Sequence, residues 1–312
     1  MARKESDVRV SIVVPHLGDD ARFEDSLVSV LENRPADCEV LVSHDGRYDD
    51  PFELGDEVRF VANEGRTLPE LMVGAAREAR SRFVHFLGDG VKATEGWIDS
   101  ALEKFEHEDA AIVAPVARRS VDGPITAAGW TSTASRLATP LAAGKRELGR
   151  RDAASIRGAC LAASFWRRDE LLEASEALAT TSRSAAQFGW SKLLAHHGWR
   201  CLLAEDSVVI ADEAMLGLSP SRKGGATLRS IEAAIEGDSF AGSVMSVGIA
   251  AISNLLRPSV WGEVTGEAMS LVFGSALARS LQVEAIRSPE EAVQTIRMPQ
   301  APAHYPAARR AA

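Results

Sequence analysis

The 312-residue sequence lacks most of the motifs that would classify it at once. No G-x-G-x-x-G follows its first β-branched run, so a dinucleotide fold loses its main signal. No Walker-type loop and no G-x-S-x-G elbow occur, so P-loop and hydrolase chemistry have no anchor. Gly237-Asp238-Ser239 resembles a hydrolase fragment, but it lies within a helical pattern and reads as a helix cap. There are only three cysteines, Cys38, Cys160 and Cys201. An odd number without metal-ligand spacing points to buried, reduced thiols and a cytoplasmic protein. Positive charge is in deficit: the net charge is -9 and the pI about 5.4. That balance argues against a nucleic-acid partner. Residues 1–7 are charged and do not form a signal peptide. The most apolar stretch, 240–256, is broken by Gly242, Ser243, Ser246, Gly248, Ser253 and Asn254. It reads as a packed helix, which leaves no transmembrane segment.

What is present is alternation. Val8 to Val14, Glu39 to Ser43, Val58 to Ala62, Arg82 to Leu87 and Ala110 to Val116 are short β-branched or apolar runs that read as strands. Between them, Phe23, Leu27, Val30 and Leu31, then Leu68, Leu71, Met72, Ala75 and Ala76, recur at helical spacing. A further helix starts near Gly96 with Trp97, Ile98 and Ala101. This order predicts an α/β fold with a mainly parallel central sheet flanked by helices. Ligands of such sheets sit beyond the carboxyl ends of the strands. Those ends are 16–20, 44–50 and 88–91, where polar and flexible residues gather.

The stretch 117–157 reads as irregular or edge-strand structure. Ala159 to Phe165 reads as a strand, Arg167 to Ala174 and Gln187 to His197 as helices, and Arg200 to Ile210 as one broken strand. The expected organisation is a domain over 8–214, a helical C-terminal extension over 215–298 and a disordered tail over 299–312. His196 and His197 are adjacent and so do not share a helix face, which argues against a two-histidine metal site.

Four segments, in order, resemble family 2-type glycosyltransferases of the GT-A fold. They are Val10-Ser11-Ile12-Val13-Val14-Pro15 with the helix bearing Ser26-Leu27-Val28-Ser29-Val30-Leu31; Glu39-Val40-Leu41-Val42-Ser43-His44-Asp45-Gly46; Arg82-Phe83-Val84-His85-Phe86-Leu87 with Gly88-Asp89-Gly90 and Trp97; and Gly158-Ala159-Cys160 with Arg167 to Leu172, leading to Gly198-Trp199-Arg200. The resemblance covers about residues 8–212. It implies a nucleoside-diphosphate-sugar donor, an Mg²⁺ or Mn²⁺ ion bridging the diphosphate to a D-x-D motif, and a carboxylate base that deprotonates the acceptor hydroxyl. The donor side falls on Pro15, His16, His44, Asp45 and Gly46, and the metal on Asp89.

The sequence departs from that pattern where the chemistry sits. Glycines occupy 88 and 90, which leaves Asp89 alone, as a metal contact or as a turn residue. The family's base position falls near Ala186-Gln187, and an amide cannot accept the proton. Asp152, His196, His197, Glu205 and Asp206 are the possible substitutes. The family's A-R-N falls near Glu70-Leu71-Met72, and its late histidine is missing near Ala211-Asp212-Glu213. Arg222 and Lys223, in Ser219-Pro220-Ser221-Arg222-Lys223-Gly224-Gly225, read as a flexible cationic loop able to close on phosphate. The expected function is non-processive sugar transfer to an unknown sugar, lipid-linked or protein acceptor. The alternative is an inactive relative that binds nucleotide or serves as a scaffold. A nucleotidyltransferase-like enzyme is a third reading, without the basic Gly-rich loop it needs.

Overall fold

The computed structural model describes residues 8–48, 50–132, 138–219, 221–236, 240–257, 260–273 and 281–292. The cap at Gly237-Asp238-Ser239 and the tail over 299–312 lie outside them. The first half alternates as the apolar periods demand: β1 (Val10–Pro15), α1 (Asp20–Asn33), β2 (Cys38–His44), β3 (Arg59–Ala62), α2 (Leu68–Glu78), β4 (Phe83–Leu87), β5 (Lys92–Ala93), α3 (Asp99–Lys104) and β6 (Ala110–Arg118). All six residues of β1 are buried, as expected of a central strand covered on both faces. Helix α1 starts where the Asp19 carboxylate accepts the Arg22 N–H, and it turns Phe23, Leu27 and Val30 into the core. At the start of α2, one oxygen of Glu70 accepts the N–H groups of Arg66 and Thr67 and the Thr67 hydroxyl.

The chain continues through β7 (Ile125–Ala127), the hairpin β8 (Trp130–Ser132) and β9 (Ala138–Pro140), and α4 (Asp152–Ser155). Next come β10 (Ala163–Arg167), α5 (Arg168–Ala177), α6 (Arg183–His196) and β11 (Arg200–Ile210). The main sheet runs β3-β2-β1-β4-β10-β6-β11-β5, with β7 beside β6. Strands β3, β2, β1 and β4 are parallel. Strand β10 is antiparallel to both β4 and β6, so the sheet is mixed rather than simply parallel. It begins at Ala163, later than the apolar run suggests, because Cys160 and Ala163 bridge across a turn that brings the Ala162 carbonyl to the Gly88 N–H. Arg167, at the end of β10, is 3% exposed and donates to the carbonyls of Ala110, Phe105 and His107. The break read in β11 is a bulge between Ala204 and Val208, where Ser207 turns inward onto the Trp97 carbonyl.

The last helices are α7 (Glu213–Leu216), α8 (Arg222–Glu236), α9 (Phe240–Ser253) and α10 (Trp261–Phe273). Helix α8 docks on α6 and α10 and sends Leu228 and Ile231 into the main core. Its backbone touches that of α10 through glycine: a Cβ on Gly225 would lie 2.1 Å from the Glu263 carbonyl oxygen, and one on Gly266 1.9 Å from that of Arg222. Among the described residues, no helix is long and apolar enough to cross a membrane. The cysteines are free, and burial pushes Cys38 up to about 11 and Cys160 to about 12, so neither is a thiolate near neutrality.

Candidate functional site

The carboxyl ends of β1, β2 and β4 lie side by side, as the register of β1 with its two neighbours requires. At the end of β1, the His16 N–H donates to the Ser43 carbonyl, and its ring, 8% exposed, sits 2.7 Å from an Asp20 carboxylate oxygen. That ring packs edge-on against Phe23, with centroids 5.0 Å apart, and against Tyr48 at 5.0 Å. His16 therefore ties β1 to α1. At the end of β2, His44 is buried beside Phe60, and its Nδ1 accepts the Gly46 N–H at 3.2 Å. Burial, then the neighbouring His16, holds its imidazole below the usual range. Gly46 takes φ +84°, the left-handed turn that carries the chain away from β2.

Asp45 faces a cavity of 430 Å³ lined by His16, Leu17, Gly18, Asp20, Asp45, Arg47 and Arg66. One Asp45 oxygen accepts the Arg47 N–H; the other lies 3.4 Å from Arg47 Nε and 3.7 Å from Arg66 Nε. Asp45 is thus 16% exposed between two guanidinium groups that are 67% and 68% exposed. Neither arginine stands out in the sequence. The signals that point to them are position alone: Arg47 follows the Asp45-Gly46 turn, and Arg66 precedes the Thr67-x-x-Glu70 helix start.

Asp89 hangs beside this cavity. Its Oδ2 accepts the Leu17 N–H at 3.2 Å, while its Oδ1 is buried without a hydrogen-bond partner. Burial raises the carboxyl to about 6, against the opposing effects of Leu17 N–H and His16. The glycines on either side have a structural cause. A Cβ on Gly88 would lie 2.8 Å from the Ala162 Cβ; one on Gly90, at φ +84°, would lie 2.7 Å from the Met215 Cε. The Gly90 N–H also donates to Ser26 Oγ at 2.8 Å. At 88 the neighbour is the rigid Ala162 Cβ; at 90 it is the flexible end of Met215, and the constraint is the positive φ. Met215 belongs to α7, whose carbonyl Arg183 holds, so the segment after β11 covers this turn.

A hard divalent cation of the Mg²⁺ type takes six oxygens, usually one or two carboxylates with waters and substrate phosphates. Here the unpaired Asp89 oxygen is buried, and no group of three or more metal-competent side chains occurs among the described residues. The donor set does not fit a resident Mg²⁺ or Mn²⁺ ion.

The remaining candidates go elsewhere. Gln187 is wholly buried in α6, and its Oε1 accepts the Leu161 N–H at 3.1 Å. Asp152 accepts Lys145 at 3.0 Å and the Gly149 N–H at 2.7 Å, closing a surface loop. His197 contacts the Val283 carbonyl at 2.6 Å, while His196, Glu205 and Asp206 are exposed, the last two at the β11 bulge. Arg222 and Lys223 do not form a loop. They open α8 with exposed side chains and do not line the cavity, because the glycines after them serve the close contact with α10. The structure therefore places His16 and Asp45 in one cavity, with Asp89 bonded to the N–H of its lining residue Leu17 and Pro15, His44 and Gly46 adjacent in sequence. It leaves Arg222, Lys223 and Gln187 outside that cavity.

No family model matches the chain, and no curated protein does. Solved structures do. GalNAc-T7, crystallised with UDP, GalNAc and Mn²⁺, superposes with a TM-score of 0.55 at 13% identity, over 94% of this chain and 57% of its own. The mannosyltransferase PcManGT from Pyrobaculum calidifontis, in complex with GDP-Man and Mn²⁺, gives 0.44 at 17% identity over 89% and 80%. S. aureus TarS 1-349 in complex with UDP gives 0.49 at 13% identity over 92% of both chains. The chain thus spans 57% of the GalNAc-T7 chain. With the mixed sheet and flanking helices described above, the GalNAc-T7 superposition shows that this chain has a GT-A-like glycosyltransferase fold.

Proposed function

We propose that this protein binds a nucleoside-diphosphate sugar across the ends of β1, β2 and β4 and transfers the sugar to an acceptor hydroxyl. The observation that carries this reading is the cavity of His16, Asp20, Asp45, Arg47 and Arg66, with Asp89 at its edge. It lies where open α/β sheets hold ligands, and it combines a carboxylate for base or ribose with two cations for phosphate. Its 430 Å³ suits a small-molecule ligand. The test is a panel of UDP-, GDP- and dTDP-sugars, with Mn²⁺ present, read as binding and as nucleotide release. Absence of both for every donor refutes the reading.

A second reading is favoured by one observation. The base position that the resemblance implies falls near Ala186-Gln187, and Gln187 is buried and engaged with the backbone of Leu161. On this reading the protein binds the nucleotide without transferring the sugar. Donor binding with no nucleotide release, across a broad set of sugar acceptors, favours it over the first.

A further inference from the structure

We infer that the diphosphate is held by Arg47 and Arg66 without a bridging divalent cation. This rests on the nucleotide-sugar reading above and concerns the same cavity. Three features of the site carry it.

First, the turn offers a cation little: glycines stand at 88 and 90, and among the described residues no group of three or more metal-competent side chains occurs. A Cβ on Gly88 would meet Ala162 Cβ at 2.8 Å, Gly90 takes φ +84°, and Asp89 spends one of its two oxygens on the Leu17 N–H. A cation would receive at most one free oxygen from this turn, Asp89 Oδ1, and that oxygen is buried.

Second, the cavity already carries fixed positive groups. Both guanidinium groups approach Asp45 through Nε, at distances longer than a hydrogen bond. Among the described residues, no hydrogen bond or ion pair takes the terminal nitrogens of either arginine. Those terminal nitrogens form the flat donor fork that matches two phosphate oxygens. Asp45 keeps the two forks near each other, and their exposure leaves them free to turn onto a ligand.

Third, the backbones beneath the arginines are pinned. The Arg47 N–H is held by Asp45 and the Arg66 N–H by Glu70. The cations are therefore presented from two ordered turns, at the ends of β2 and of the loop before α2, on one side of the cavity. Asp45 lies beside both arginines, so an arriving diphosphate exchanges one anionic partner of the arginines for another.

The experiment is calorimetry of the full chain with UDP, GDP, UDP-glucose and GDP-mannose, once in EDTA and once in Mn²⁺. The proteins are wild type, Arg47→Ala/Arg66→Ala, and Arg47→Lys/Arg66→Lys. The expected result is binding in EDTA within about twofold of that in Mn²⁺, weakened at least about tenfold by the double alanine variant and partly restored by lysine. Both arginines are exposed, so unchanged thermal melts certify that the variants fold. Binding that requires Mn²⁺ overturns the inference and leaves the nucleotide reading standing. Binding in EDTA that ignores the arginines overturns it as well. No binding in either buffer refutes the nucleotide reading itself, and this inference with it.

Discussion

The side-chain oxygen of Gln187 accepts the backbone N–H of Leu161 at 3.1 Å, and this single bond ties α6 to the turn before β10. The same turn offers the Ala162 carbonyl to Gly88, so Gln187 supports the Asp89 turn from behind. Replacing it with leucine leaves the buried Leu161 N–H without an acceptor, at a cost of about 1–3 kcal/mol. Gln187→Glu places a charge in a fully buried position and is expected to cost at least as much. Thermal or urea unfolding reads both changes. A Gln187→Glu protein as stable as wild type, with new nucleotide release, contradicts the supporting role and marks 187 as a base position.

The sequence made the strand ends legible because parallel strands bring their carboxyl ends together, and the segments 16–20, 44–50 and 88–91 followed from that rule. It could not show that Arg47 and Arg66 converge on Asp45, since isolated loop arginines are common and only folding sets their distance. Gly88 and Gly90 looked like lost acids; in the folded chain Ala162 crowds the place of a side chain at 88, and Gly90 takes a positive φ. Arg222 and Lys223 looked like a loop because Gly224 and Gly225 follow them. Those glycines instead permit helix contact, which local sequence cannot distinguish from flexibility. The antiparallel β10 was equally hidden, because an apolar run carries no direction.

His85 makes a second buried link. Its Nδ1 donates to the Ser164 carbonyl at 3.0 Å and its Nε2 accepts the Trp97 Nε1–H at 2.9 Å. Complete burial lowers its pKa to about 3. The unfolded chain takes up a proton below about 6.5 that the folded chain refuses, so stability falls as pH drops from there towards 3. The imidazole is expected to show no titration by NMR between pH 5 and 8. His85→Phe leaves both partners unpaired and is expected to lose about 2–4 kcal/mol in unfolding measurements, with that part of the acid sensitivity. A normal titration near 6.5 refutes this.

Asp89 is kept at a cost to the fold. Its carboxyl is raised to about 6 from 3.8, so its contribution to stability is greatest below 3.8 and declines as pH climbs to about 6, then levels. Asn at this position still accepts the Leu17 N–H but carries no charge. Asp89→Asn is therefore expected to stabilise the protein by about 1–2 kcal/mol at pH 8 and by nothing at pH 3.5. Paired melts at the two pH values check the difference. Destabilisation at pH 8 means that the charge is needed by the fold, contrary to this account.

Glu263 applies the same logic to the C-terminal helices. It is 3% exposed in α10, its Oε1 accepts the Ala138 N–H at 3.3 Å, and its Oε2 has no hydrogen-bond partner among the described residues. Burial lifts the carboxyl to about 7 from 4.5. The folded chain holds the proton more tightly, so the stability this residue provides is complete below 4.5, is lost between 4.5 and about 7, and is constant above. The loss is on the order of 2–3 kcal/mol for one group with that shift. Because Glu263 joins α10 to the β8–β9 hairpin, amide exchange should quicken in residues 222–273 and around Ala138 between pH 5 and 8, after correction for intrinsic rates. In Glu263→Gln the amide keeps an acceptor for Ala138 and has no charge to bury, so the pH dependence of both exchange and melting should flatten. An unchanged profile in that variant would place the titration elsewhere.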